Sequence, residues 1–230
     1  MAFDQLENGI LPVQHLEMAI TDGVIAADHP IEDGQLQPAS LDLRLGSEAW
    51  RIQASFLPGE HMPVVAKLAK FGMHTIDLTN GAVLERGCVY IVKLQERLNL
   101  PAGTSAIANP KSSTGRLDIF TRLITDGARE FESVADGYKG PLFAEISPRT
   151  FSVLVRPGSR LSQLRIRRGV SAPSDHVMKS LQSSVGLVHG VDRTDIRDGV
   201  ALSVNLDPDS KSGMIGWRAR KHAGLIDVDA

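Results

Sequence analysis

The 230-residue chain contains a single cysteine, Cys88, so no internal disulfide can form and nothing in its covalent chemistry asks for an oxidising compartment. No uninterrupted apolar run approaches the roughly 18 to 20 residues that a membrane helix needs, and the N-terminal "MAFDQLENG" lacks the basic-then-apolar layout of a signal peptide. A cytoplasmic protein without a membrane partner is the expectation. An excess of basic charge is missing too. The formal net charge of -2 argues against a general nucleic-acid binder, which displays a basic face to displace counterions from many phosphates. Any anionic ligand must therefore be met locally. Thiol and imidazole ligands are equally sparse. One cysteine and seven histidines (His15, His29, His61, His74, His176, His189 and His222), none at i, i+2 or i, i+4 spacing, cannot supply the H-x-E and P-C-x-x-C cluster of a zinc deaminase. No protein-held metal, and no zinc in particular, is expected. Neither G-x-S-x-G nor G-x-x-x-x-G-K-[ST] occurs, which removes the hydrolase nucleophile elbow and the P-loop.

What is present is ample core material, 42% hydrophobic residues, in short segments. "LPVQHLEMAITDGVI" puts Val13, Leu16, Ala19 and Ile20 at helical spacing, with Pro12 suited to the first turn and Gly23 to the end, and predicts one short amphipathic helix. Beyond it, "LQPASLDLRLG" alternates Leu41, Leu43 and Leu45 against Asp42 and Arg44, a strand with one wet face. "VYIVKLQERLNL", "TSAIANP", "LDIFTRLI", "LFAEIS", "TFSVLVRPG" and "RLSQLRIRRG" are further β-prone runs parted by Gly, Pro, Asn and Asp turns. The reading is a mainly β protein, a sandwich or barrel, over residues 1–180. Near 170–186 serine and proline thicken around a helical patch at Val177 to Leu181. Residues 186–230 then alternate again at Ala201, Val204 and Leu206, with Trp217 and Arg218 echoing Trp50 and Arg51. Either they are the truncated start of a second, similar β domain, which would make this chain a fragment of a longer protein, or the echo is a coincidence among β-rich segments.

Four segments carry a family resemblance. They are "QPASLDLRLG" at 37–46, "PKSSTGR" at 110–116, "GYKGPLFAEIS" at 137–147 and "RPGSRLSQL" at 156–164. In this order and spacing the chain resembles the dCTP deaminase family, relatives of the dUTPases. "PKSSTGR" is similar to that family's P-[RK]-S-S-x-x-R motif, and "RPGSRLSQL" to a segment shared with dUTPases. The resemblance implies a distorted β-barrel, or β-clip, of dUTPase-like type and a homotrimer with active sites between subunits. It also implies zinc-independent hydrolysis of dCTP to dUTP and ammonia, within pyrimidine deoxynucleotide metabolism.

Water must attack C4 of the cytosine, and the leaving amine must gain a proton. Zinc would lower the pKa of that water from about 15.7 to about 7, worth about 12 kcal/mol, which a zinc-free site must find elsewhere. On the resemblance Glu145 is the general base and acid. Its neighbours Leu142, Phe143 and Ile146 suggest a strand near the core, where desolvation would raise a carboxyl pKa. Ser112 would hold the water and Arg116 would face the developing negative charge. Lys111 and Ser113 would meet phosphate oxygens, with Gln163 and Tyr138 completing the nucleotide site. Mg²⁺ would arrive on the triphosphate.

One departure bears on the product. The family places an Asp three residues before the aromatic, whereas "VADGYKG" has Ala135 there and moves the acid to Asp136. In dUTPases an Asp of this region activates water, so the displacement argues against pyrophosphate hydrolysis. Likewise "GAREFES" does not reproduce the T-A pair that frames the base. A dUTPase or bifunctional enzyme releasing dUMP, and a non-catalytic nucleotide-binding β domain, are the alternatives.

Overall fold

The first helix forms where the spacing predicts. In the computed structural model, which describes residues 8–169, 173–190, 194–218, 220 and 223–230, strand β1 (Gly9–Ile10) leads to helix α1 (Val13–Thr21). Pro12 stands at the N-cap, where its fixed φ is an advantage and its missing N–H no loss. Leu16 and Ala19 are buried. Past the end, Gly23 at φ 71° supplies the left-handed residue that turns the chain away. No helix among the described residues is long and apolar enough to cross a membrane.

The next elements are β2 (Ile25–Ala27), β3 (Leu36–Gln37), β4 (Ser40–Ile52), α2 (Val64–Phe71), β5 (Gly72–Asp77) and β6 (Ala82–Leu84). They are followed by β7 (Val89–Asn99), β8 (Thr104–Pro110), α3 (Ser112–Arg116), β9 (Ile119–Thr125), β10 (Ser133–Val134) and β11 (Lys139–Pro148). The last are β12 (Val153–Val155), β13 (Arg160–Arg168), α4 (Asp175–Ser184) and β14 (Ile226–Asp227). The main sheet runs β10-β8-β13-β4-β7-β11-β9, with antiparallel neighbours throughout. It curls into a nearly closed barrel, the mainly β architecture that the sequence suggests.

Glu132 makes the closure. Its N–H donates to Leu123 O of β9 (3.0 Å), its C=O accepts from Ala108 N of β8 (2.8 Å), and its Oε1 accepts from Leu123 N (3.1 Å). One residue thereby stitches the two ends of the sheet. It adopts φ 67°, a left-handed backbone that is uncommon outside glycine.

Period-two alternation divides the core in two. Leu142, Ala144 and Ile146 of β11 point into the barrel, with Tyr90 and Val92 of β7 and Leu41, Leu43 and Leu45 of β4. On the outer face Phe143, Ile91, Ile124 and Ile52 pack under Phe56, Val64 and Leu68, so the segment from residue 53 through α2 forms a cover over β4, β7, β11 and β9. At about 1.5–3 kcal/mol per fully buried large apolar side chain, that cover is a substantial part of the fold.

One strand reading needs correction. β4 has no wet face over Asp42 and Arg44, whose exposures are 1% and 0%. The loop before β3 and the adjacent strand β7 cover them. Arg44 donates to Glu96 Oε1 (2.8 Å), Pro30 O (2.9 Å), His29 O (2.9 Å) and Glu32 Oε1 (3.2 Å). Charged alternation here marks a buried, paired face.

The chain forms two compact units, residues 1–170 with 222–230 and residues 171–221, so the boundary falls about ten residues before the expected 180. In the smaller unit α4 covers the expected helical patch, with Ser174 as N-cap accepting from Val177 N. Residues 201–206 are exposed and form no strand. Alternation yields a strand only where a neighbour takes up the N–H and C=O groups, and no ladder includes these residues. Trp217 is 91% exposed whereas Trp50 packs on the outer cluster, so the two Trp-Arg pairs sit in unlike surroundings. Residues 226–227 return to the larger unit, where β14 pairs in parallel with β12.

Candidate active site

β11 hydrogen-bonds to β7 on one side and β9 on the other, setting Glu145 level with Ile91 and Arg122. Alternation puts Glu145 on the outer face with Phe143, where it is 2% exposed. Its Oε1 accepts from Arg122 Nε (3.1 Å) and, at closer range, from Arg122 Nη2. Its Oε2 is buried without a hydrogen-bond partner, as is Ser147 Oγ two residues along the same face. Buried polar atoms are nearly always paired, so two orphans side by side ask for an explanation. Arg122 is in turn held by its surroundings. Its guanidinium carbon lies 3.5 Å from the Phe131 ring centroid and 4.8 Å from that of Phe120, and Nη2 donates to Ser55 Oγ (2.8 Å). Sequence reasoning singled out Glu145 and not its partner Arg122. The available signal was the opposite charge in "FTRLI" and "FAEIS", which becomes a pair once the strands are in register.

A second group of expected residues gathers around β8, β13 and β4. Lys111 N donates to Leu161 O (2.9 Å), and Lys111 Nζ makes a close ion pair with the buried Asp42. Gln163 lies opposite Asp42 and Asn109, its Oε1 accepting from Ser40 Oγ (3.1 Å). In α3 only Thr114 is buried. Ser112, Ser113 and Arg116 are exposed, and their side chains make no hydrogen bond or ion pair among the described residues. Among the described residues of one chain, no hydrogen bond or ion pair joins Ser112 or Arg116 to Glu145. β4 and β7 separate Gln163 from Glu145, about 14 Å around the sheet at roughly 4.8 Å per strand.

Tyr138 is a strut. Its hydroxyl accepts from Asp126 N (3.2 Å) and donates to Pro141 O (2.6 Å), and burial pushes the phenol up to about 12. Asp126 Oδ1 then accepts from Val64 N (2.7 Å), capping α2. Asp136, the displaced acid, is exposed and accepts from Gly103 N (3.0 Å).

Residues 125–130 with Ser133 and Ala135 line a cavity of about 310 Å³ beside this loop. A larger one of about 610 Å³, at Lys179 and residues 194–197, belongs to the smaller unit and holds none of the expected site residues. No group of three or more His, Cys, Asp or Glu side chains among the described residues is placed to hold a metal ion. His222 lies outside the described residues.

Burial pushes the Glu132 carboxyl from 4.5 up to about 7, against the lowering influence of the Leu123 N–H and the Arg122 charge. A folded-state pKa above the unfolded value gives stability that is full below about 4.5 and lost as pH rises through about 7. Glu132→Gln should remove that dependence. Between pH 4.5 and pH 8 its stability relative to wild type should rise by on the order of 1 kcal/mol, after discounting for partial exposure. Urea unfolding of both proteins across this range checks it, and parallel curves would contradict it.

Comparison with known proteins places this geometry. The model of the 2'-deoxycytidine 5'-triphosphate deaminase N-terminal domain matches residues 7–170, and that of the C-terminal domain matches residues 174–230. The chain belongs to the dCTP deaminase family. A crystal structure of 2'-deoxycytidine 5'-triphosphate deaminase from Agrobacterium tumefaciens superposes with TM-score 0.87 at 48% identity, covering 96% of this chain and 66% of that one. A dCTP deaminase of Halorubrum lacusprofundi is 33% identical over 134 residues, 57% of this chain and 63% of the relative. A relative from Beutenbergia cavernae named "dCTP deaminase, dUMP-forming" is 28% identical over 172 residues, 72% of this chain and 82% of its own length. The chain thus spans slightly under two thirds of the Halorubrum and Agrobacterium proteins. Within the dCTP deaminase family match, Glu145, Lys111 and Gln163 lie in the part covered by the N-terminal model, and α4 and β14 in that of the C-terminal model.

Proposed function

We propose that this chain deaminates dCTP, converting dCTP and water to dUTP and ammonia without zinc, with Glu145 as general base and then general acid. The observation that supports it most is the buried Glu145 carboxylate, one oxygen engaged by Arg122 and the other, Oε2, without a partner. A water on Oε2 would give up its proton as it attacks C4, and the same oxygen would return a proton to the departing amine. Ser112, Ser113 and Arg116 are exposed donors without side-chain partners among the described residues. In this reading they serve the site of a neighbouring subunit in a homotrimer, where Arg116 meets the developing charge and Lys111 and Gln163 meet the nucleotide. Mg²⁺ comes with the triphosphate, neutralising charge while keeping several waters. The reaction is assigned to the cytoplasm.

A second reading is release of dUMP, since several relatives carry the name "dCTP deaminase, dUMP-forming". Against it, Asp136 is engaged at a turn and Ala135 offers no acid. Incubation with dCTP and Mg²⁺, followed by chromatographic separation of dCTP, dUTP and dUMP, tests both. The expected products are dUTP and ammonia. Accumulation of dUMP with pyrophosphate supports the second reading, and nucleotide binding with no product supports a silent binding domain. Sedimentation should give a trimer; an active monomer would contradict the shared site.

A further inference from the structure

Glu145 is the only carboxylate that this reading assigns to the chemistry, yet it does not stand alone. Three features of Arg122 go beyond a surface ion pair. Nε and Nη2 both reach one oxygen, Oε1, so the bond fixes the rotation of the carboxyl group as well as its place. The guanidinium plane is itself fixed, by Phe131 at 3.5 Å, by Phe120 at 4.8 Å and by Ser55 Oγ at 2.8 Å. The oxygen left over, Oε2, is buried and unpaired. A carboxylate not held at one oxygen would sample other side-chain rotamers and carboxyl rotations, and neither oxygen would stay in one place for a water.

We infer that Arg122 is a positioning residue, which commits Oε1 of Glu145 to the protein and presents Oε2 alone to the attacking water. The inference rests on the deaminase reading for its consequence in turnover, but the ordering of the carboxyl group is a property of the chain itself. The guanidinium is suited to this role because its fixed fork holds one oxygen from two nitrogens. A lysine ammonium keeps the charge and loses the geometry. A general base misplaced by about 1 Å can lower the rate about 100-fold with little effect on binding.

The test uses Arg122→Lys, with Ser55→Ala as a milder second variant that frees the guanidinium without touching Glu145. Arg122→Lys should lower kcat for dCTP by about 30- to 100-fold with KM within about threefold of wild type, and Ser55→Ala should lower kcat by about two- to fivefold. A merely structural residue would instead lower the folded fraction, with kcat per folded molecule unchanged. Added methylguanidine should restore part of the activity of Arg122→Ala, which replacement of a structural contact would not allow. An independent readout needs no turnover. With ¹³C-labelled glutamate, the Glu145 carboxyl resonance should be single and narrow in wild type and broadened or doubled in Arg122→Lys, where the side chain samples more than one rotamer in different surroundings. A resonance equally narrow in both proteins, or an unchanged kcat, overturns the inference. Wild type that binds dCTP but releases no ammonia overturns the deaminase reading instead, and the resonance comparison still decides the role of Arg122.

Discussion

Glu145→Gln should lower dCTP turnover by at least about 10³-fold while leaving nucleotide binding and the fold near wild type. General base catalysis contributes about 10² to 10⁴ in rate, and here one carboxylate serves both as base and as acid, so its loss falls at the upper end. The amide keeps the size of the side chain. Its carbonyl oxygen can still accept from Arg122 Nε and Nη2, and Arg122 retains Ser55 and the two phenyl rings. What disappears is the ability of the second atom to take a proton. Steady-state kinetics, dCTP titration and thermal unfolding on the same preparation separate these effects. Turnover within tenfold of wild type would remove Glu145 from the chemistry.

The largest effect on stability should come from the buried ion pair that the alternation of β4 conceals. Glu96 Oε1 accepts from Arg44 Nε and from Gln35 Nε2, both at 2.8 Å, and Oε2 from the backbone N–H of Arg44 at 2.8 Å. Both side chains of the pair have zero exposure. Glu96→Leu leaves a guanidinium charge sealed in the protein with two carbonyls and the half-exposed Glu32 as its remaining acceptors. The expected loss is about 3–5 kcal/mol in urea unfolding. Replacing both partners, Arg44→Met with Glu96→Leu, removes both desolvation penalties and should recover much of that loss. A loss below about 1 kcal/mol for Glu96→Leu alone would show that water reaches the pair.

The same pair shows where sequence reasoning succeeds and where it stops. α1 was legible because helical spacing, Pro12 and Gly23 agree, and each signal is local. The burial of Glu145 was legible only with the family resemblance, because Leu142, Phe143 and Ile146 place a strand near the core but alternation alone favours a solvent-facing glutamate there. Asp42 and Arg44 were misread as a wet face because period two reports only that the two faces differ. Whether the polar face meets water depends on Glu96, 52 residues away. Arg122 went unseen for a related reason, as its meaning comes from the register of β9 against β11. Glu132 carried no local signal at all, because its function is to join Leu123 to Ala108 across the barrel seam. The stretch "MHTIDLTNG" lies in β5 and the turn after it, and its place is set by pairing beside β4 and not by a local pattern. Residues 201–206 show the converse, alternation without a neighbouring strand.

The most direct test of the central claim is a crystal structure of the Glu145→Gln protein with dCTP and Mg²⁺, in whatever oligomer it forms. The account predicts the cytosine C4 and its amino group within hydrogen-bond reach, directly or through one water, of the side chain at position 145, with Arg122 still holding the other side-chain atom. Cytosine bound elsewhere, with no water linking position 145 to C4 in any subunit, would contradict it.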